Sequence, residues 1–230
     1  MNESRPDSES TSMLTRRQAL VLLGAAAAAT AEGCGITVPG GSTNGSCTQT
    51  PALTEGPYFV DELLNRSDIR TDPTDGTVQP GAELRLKLIV ASTSDCNPLA
   101  DARLDIWHCN SAGLYSDEAA NGTVGKKFLR GYQTTDADGI VQFTTIYPGW
   151  YSGRTPHIHI KVRSGTQTFD SQLFFDETLT AQVYSQSPYN SRGTPDTPNS
   201  RDNIFTAANV LSITQDGSAY TTTFNIAVPS

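Results

Sequence analysis

Two of the three histidines in the 230-residue sequence stand two positions apart, in the stretch Tyr147-Pro148-Gly149-Trp150-Tyr151-Ser152-Gly153-Arg154-Thr155-Pro156-His157-Ile158-His159-Ile160-Lys161-Val162. Pro148-Gly149 and Ser152-Gly153 are turn signals, and Pro156 forces the residue before it into extended backbone. A strand is predicted from His157 to Val162. Strand side chains alternate between faces, so His157, His159 and Lys161 share one face while Ile158, Ile160 and Val162 share the other. Two imidazoles at i and i+2 reach a single metal ion, and Tyr151, at the head of the preceding turn, brings a phenolic oxygen towards the same point. A His-x-His pair alone is as often a pair of surface or hydrogen-bonded structural residues; Tyr151 and Arg154 beside it favour a ligand cluster.

The remaining elements read as short strands. Leu84, Leu86, Leu88 and Val90 alternate along 83–90 and form one face of a half-buried strand. Residues 102–107 are the next strand, running into the loop His108-Cys109-Asn110-Ser111-Ala112-Gly113-Leu114-Tyr115. His108, at a strand end, suits a structural hydrogen bond that positions this loop. Asp136-Ala137-Asp138-Gly139 is predicted as a hairpin turn before strand 140–145, where Val141, Phe143 and Thr145 share a face. Residues 172–175 are a short apolar strand, 178–184 a short helix, and 61–69 a helical turn. The Pro-, Asn- and Ser-rich segment 189–203 is a long surface loop, and 219–228 places Tyr220, Thr222, Phe224, Ile226 and Val228 on one side of a last strand. Thr54-Glu55-Gly56-Pro57-Tyr58-Phe59 is a turn that presents rings on a fixed backbone, either as a pocket wall or as a hydrophobic anchor for the chain entry. At least six closely spaced strands with little helix indicate a mostly β protein, a β-sandwich or barrel.

With 24 acidic and 16 basic residues the net charge is -8, which leaves no basic stripe for phosphates and argues against nucleic acid as a partner. The N-terminus reads as an address. Thr15-Arg16-Arg17-Gln18 precedes an apolar run, 19–30, too short to span a bilayer comfortably. This is a twin-arginine-like export signal with Ala19 where the pattern prefers Phe. Ala31-Glu32-Gly33-Cys34 resembles a lipoprotein cleavage site, with Cys34 as the anchor point; ordinary cleavage nearby is the alternative. The expected organisation is an export signal over 1–34, a flexible Gly/Ser/Thr tether over 35–46, and one folded domain over 47–230. The product would be exported, extracellular or held at the cell surface. There a disulfide among Cys47, Cys96 and Cys109 is expected, its pairing left open.

Tyrosine titrates near pH 10, so it ligates only ions acidic enough to hold a phenolate. Phenolate oxygen with imidazole nitrogen suits Fe(III), whereas two histidines and a carboxylate belong to Fe(II) oxygenases. The ordered set Asp105-Ile106-Trp107-His108-Cys109-Asn110-Ser111-Ala112-Gly113-Leu114-Tyr115, then Pro148-Gly149-Trp150-Tyr151, Arg154 and His157-Ile158-His159, resembles the intradiol ring-cleavage dioxygenases over about residues 47–175. That resemblance implies a β-sandwich with long active-site loops and a non-heme Fe(III) held by Tyr115, Tyr151, His157 and His159. It implies Arg154 as the active-site arginine, Gln172 as a glutamine behind the ligands, and Gly56, Pro57 and Tyr58 as substrate-pocket lining. It further implies a small aromatic diol and O2 as substrates and a cis,cis-muconate type diacid as product. One tyrosinate would leave the metal as a catechol dianion binds, and the leaving groups would take the substrate protons. Two features depart from the family. The short tether before Cys47 leaves no room for the helical dimerisation region of the catechol dioxygenases, and the short Tyr151-to-His157 spacing trims the loop beside the pocket, admitting larger substrates. Export fits a secreted subset meeting catechols outside the membrane, such as fragments of plant aromatic polymers. The rival from another class is a secreted β-sandwich binding module with His157 and His159 on its surface; a second rival keeps fold and metal without turnover.

Overall fold

A computed structural model describes residues 47–229; the expected export signal, Cys34 and the tether lie outside them. Among the described residues are eight strands: β1 (Glu83–Ser92), β2 (Arg103–Trp107), β3 (Arg130–Thr134), β4 (Ile140–Ile146), β5 (His157–Ser164), β6 (Gln167–Phe174), β7 (Ile213–Asp216) and β8 (Ala219–Val228). They form two four-stranded sheets, ordered β4-β1-β8-β7 and β3-β2-β5-β6, as the alternating sequence requires of a sandwich. The predicted apolar faces meet between them: Leu84, Leu86, Leu88 and Val90 from β1, Val141 and Phe143 from β4, and Ile158, Ile160 and Val162 from β5 are all buried. Each such side chain contributes about 1.5–3 kcal/mol by leaving water. The single α-helix among the described residues, α1 (Glu177–Tyr184), is capped by Asp176, whose side chain accepts from Leu179 N–H, as expected of an N-cap.

Three local expectations are corrected. Residues 61–69 form no helical turn. Their backbone bonds to other strands instead, Tyr132 N–H to Leu64 C=O at 2.8 Å, then Ile69 N–H to Thr144 C=O at 3.0 Å, so the segment stitches the edge of one sheet to the edge of the other. Asp136–Gly139 makes a tight turn, with Gly139 N–H donating to Asp136 C=O at 2.9 Å, but it is not a hairpin: β3 and β4 belong to different sheets. The local bonds of a turn do not decide which strands pair. Lastly, 189–203 is only partly a surface loop, because Tyr189 is buried, its hydroxyl donating to Tyr147 C=O at 2.7 Å and accepting from Ala82 N–H at 3.1 Å.

The open cysteine pairing resolves as Cys47–Cys96, with Cys109 free and buried. His108 takes the structural place expected of it, fully buried between Cys109 C=O at 2.8 Å and Thr145 Oγ1 at 2.7 Å. It thereby ties the end of β2 to β4. Burial pushes its pKa down to about 4. The unfolded chain can therefore take a proton below about pH 6.5 that the folded state refuses, so stability is intact above that pH and is lost as pH falls towards 4. Relative to His108→Gln, the wild type is expected to lose about 2 kcal/mol between pH 7.5 and pH 5, read from urea unfolding of both proteins.

Candidate active site

The second sheet carries the site on the face turned away from the core. Register sets three of its residues in a row, because β2 pairs Trp107 with His159 and β6 pairs Gln172 with His159, and directly opposed residues share a face. Trp107 stacks on the His159 ring at 4.8 Å and 9°. This outer face is not open to water. Segment 51–60 runs over it, anchored by Leu53 N–H to Asp170 C=O at 2.9 Å and by Lys161 Nζ to Glu55 at 2.9 Å. His157 and His159 are consequently 2% and 1% exposed, so the surface histidines required by a binding module are absent.

Both tyrosines arrive on loops beyond strand ends. After β2, Asn110 folds the chain back through its side-chain oxygen, which accepts from Ala112 N–H and Leu114 N–H, both at 3.0 Å. Gly113 has φ +78°, and any Cβ there would overlap the Trp150 carbonyl oxygen. The loop that delivers Tyr115 thus lies directly against the turn that delivers Tyr151. The hydroxyl of Tyr115 sits 3.1 Å from His159 Nε2 and 3.4 Å from His157 Nε2; that of Tyr151 sits 3.2 Å from His157 Nε2; and the two Nε2 atoms are 3.1 Å apart. Two oxygens and two nitrogens therefore converge on one point. Tyr58 stacks on Tyr115 at 4.3 Å and meets Tyr151 edge-on at 5.9 Å, while Gly56, at φ +76°, lies against the His159 ring, where a Cβ would be 3.1 Å from Cε1.

Electrostatics prepare these atoms as donors. Burial pushes the His157 pKa down to about 3, and that of His159 well below its usual range, so both rings are neutral at any pH near 7. His157 Nδ1–H donates to Thr155 C=O at 2.7 Å, leaving the Nε2 lone pair free, the usual arrangement behind a ligating imidazole. Burial pushes Tyr151 up to about 12, against the opposing pull of Arg154, and pushes Tyr115 well above the usual phenol range. Without a cation both phenols stay protonated. No group of three His, Cys, Asp or Glu side chains able to hold a metal ion occurs among the described residues, so an ion held here must use the tyrosine oxygens. The donor set fits a hard, strongly acidic ion such as Fe(III).

Arg154 and Gln172 stand beside the cluster. Arg154 Nη2 donates to Gln172 Oε1, and Gln172 Nε2 donates to Thr54 C=O at 2.9 Å, which ties the sheet to the covering segment. Pro57 follows Gly56 in that segment and is exposed. Two polar residues had no local signal in the sequence. Buried Arg130 donates to Tyr58 C=O, to Ser116 Oγ at 2.8 Å and to Ser116 C=O at 2.6 Å, clamping the covering segment to the Tyr115 loop. Asp202 accepts from Arg154 Nε at 2.8 Å across 48 residues. A concavity of about 900 Å³ lies elsewhere, against the outward face of β1, β4 and β8 among Arg85, Lys87, Gln142, Thr221 and Thr223. It is wide open and brings no reactive groups together.

Fold and site define a two-sheet β protein with a buried tyrosine–histidine donor cluster. A family model described as a dioxygenase matches residues 54–187, more than half of the chain, and the chain belongs to that family, the intradiol ring-cleavage dioxygenases. It is similar to an intradiol ring-cleavage dioxygenase from Tetranychus urticae, with 30% identity, a TM-score of 0.72, and coverage of 80% of this chain and 95% of that one. The dioxygenase domain of a dioxygenase and carbohydrate-binding protein fusion from Streptomyces sp. SirexAA-E is 30% identical, with a TM-score of 0.61 and coverage of 79% and 99%. Catechol 1,2-dioxygenase 1 of Acinetobacter lwoffii is 28% identical over 159 residues, covering 64% of this chain and 47% of the relative; catechol 1,2-dioxygenase of Candida albicans is 36% identical over 143 residues, covering 52% and 45%. The chain thus spans about half the length of these curated relatives.

Because Gly56 has φ +76° and a Cβ there would crowd the His159 ring at 3.1 Å, Gly56→Ala is expected to strain the backbone and nudge the imidazole, at a cost of about 1–3 kcal/mol. Urea unfolding measures the loss, and a stability equal to wild type would show that the covering segment does not press on the ring.

Proposed function

We propose that the protein uses Fe(III), held by Tyr115, Tyr151, His157 and His159, to open a catechol-type ring between its two hydroxyl-bearing carbons with O2, yielding a cis,cis-muconate type diacid. The observation that supports this most directly is the convergence of two phenol oxygens and two imidazole Nε2 atoms within 3.1–3.4 Å of their neighbours in the cluster. The chemistry the ion supplies when bound is withdrawal of charge from a chelated catecholate, which gives the ring the radical character that dioxygen needs to react.

The chain's own residues do the rest. Tyr58, Tyr151 and Arg154 are half-buried whereas Tyr115, His157 and His159 are buried, so substrate approaches from the Tyr151 side and its ring meets the aromatic wall of Tyr58. Pro57 keeps that wall's backbone stiff. The Tyr151 oxygen, on the open side of the cluster, is placed to accept a substrate hydroxyl proton. Arg154 places fixed positive charge where negative charge builds on the ring, an interaction strengthened by exclusion of water. Gln172 holds the guanidinium in reach. We extend the proposal to delivery: residues 1–34 act as an export signal, with Cys34 as a lipid-anchor site, and the domain meets its diols outside the cytoplasm.

Aerobically purified, iron-loaded protein is expected to show a broad visible tyrosinate-to-iron band that shifts on anaerobic addition of catechol, with O2 uptake and diacid formation once air is admitted. Tyr115→Phe and Tyr151→Phe are each expected to weaken the band and to lower iron affinity at least roughly 10-fold. A folded, iron-loaded sample without the band would overturn the ligand set. Intact-mass and N-terminal analysis of protein from the native envelope is expected to begin at Cys34 with a lipid mass increment; a mature chain retaining Met1 would remove the export proposal.

A further inference from the structure

The segment 189–203 has the composition of a solvated loop, yet its polar groups bond inward onto the turn that carries Tyr151. Trp150 Nε1 donates to Gly193 C=O at 3.2 Å, Gly153 N–H to Asp196 Oδ1 at 3.3 Å, and Thr155 Oγ1 to Asn199 Oδ1 at 2.5 Å. At the end of this clasp stands Asp202, whose side chain is 1% exposed. Its Oδ2 accepts from both Arg154 Nε at 2.8 Å and Thr155 N–H at 3.0 Å, and its Oδ1 accepts from Ile204 N–H at 2.9 Å. Among the described residues Arg154 is its one ion-pair partner. A carboxylate this deeply buried is tolerated only when fully bonded.

Seen from Arg154, the pairing fixes an orientation. Asp202 holds Nε, and Gln172 Oε1 holds Nη2. Two bonds to a planar, delocalised group fix its plane, which one bond cannot do. Nη1 is left without a protein partner among the described residues, so one donor edge remains available to a ligand. Gln172 is itself braced by Thr54 C=O at 2.9 Å, so the chain Asp202–Arg154–Gln172–Thr54 runs from the clasp, across the site, to the covering segment.

We propose that Asp202 is a positioning residue for the ring-cleavage reaction, fixing the plane of the Arg154 guanidinium so that its free edge faces the bound diol. The proposal rests on the reaction assigned above. Asp202 bonds none of the four donor side chains; its side-chain partners are Arg154 and the backbone N–H groups of Thr155 and Ile204, and its effect on the reaction is exerted through Arg154.

The test compares the full chain as wild type, Asp202→Asn and Asp196→Ala, the last loosening the same clasp without touching Arg154. In iron-free protein, modification by phenylglyoxal, followed residue by residue by peptide mass spectrometry, is expected to be several-fold faster at Arg154 in Asp202→Asn and close to wild type in Asp196→Ala, with Arg85 as the exposed reference. In iron-loaded protein, Asp202→Asn is expected to keep the tyrosinate band while kcat falls roughly 10- to 100-fold and KM changes less. If Asp202→Asn does not fold, Asp202→Glu, which keeps the charge but shifts the carboxylate by one methylene, takes its place with the same expectations. Arg154 reactivity and kcat equal to wild type in an active Asp202 variant would overturn the proposal, as would Asp196→Ala matching the Asp202 variant in both readouts. A wild type without turnover removes the reaction itself, and the wild-type assay tells that failure apart from the others.

Discussion

Two phenol oxygens and two imidazole nitrogens cannot be pressed to within 3.1–3.4 Å of one another, away from water, unless protons or a cation lie among them. Every other feature of this end of the molecule serves that convergence. Burial keeps the imidazoles neutral and the phenols protonated until a cation arrives. Loading such an ion would release the two phenolic protons, so the donor set favours a metal acidic enough to displace them.

Holding four donors in place takes contributions from all along the chain. The strand supplies His157 and His159, and their spacing is secure because a paired central strand cannot slip by one residue without turning its whole apolar set outward. The tyrosines come from loops, which are less constrained, and each is held by its neighbours. His108 anchors the start of the Tyr115 loop, Arg130 clamps its far end to the covering segment, and Gly113 lets it close on the Trp150 carbonyl. On the opposite side the Asn199–Asp202 region holds the Tyr151 turn. One rigid strand fixes two of the donors, and braced loops fix the other two.

Much of this was legible before any coordinates. The alternation in β1, β4, β5 and β8 placed the apolar faces correctly, and α1 begins within one residue of its expected start. Failures occurred where local pattern has no authority. Residues 61–69 have enough helix-formers to suggest a turn, but their backbone groups find better partners on β3 and β4. Asp136–Gly139 forms the bonds of a tight turn whether the following strand returns to its own sheet or crosses to the other. Segment 189–203 looks solvated because its Asn and Asp residues are polar, and composition does not say whether such residues face water or bond to an arginine of the site.

The sequence by itself determined which donors exist, their order along the chain and which strand face carries the histidines, because side-chain period and turn chemistry are set by neighbours in the chain. The identity of the donors also limited the metal, since phenolate and imidazole are intrinsic to their residue types. Only the tertiary structure decided that the histidine face is buried, that Cys47 pairs with Cys96, and that Asp202 meets Arg154. Those outcomes depend on a covering segment about 100 residues from β5, on a 49-residue closure and on a pairing across 48 residues. Contacts over such separations are chosen by the summed packing of both sheets, which no local stretch encodes.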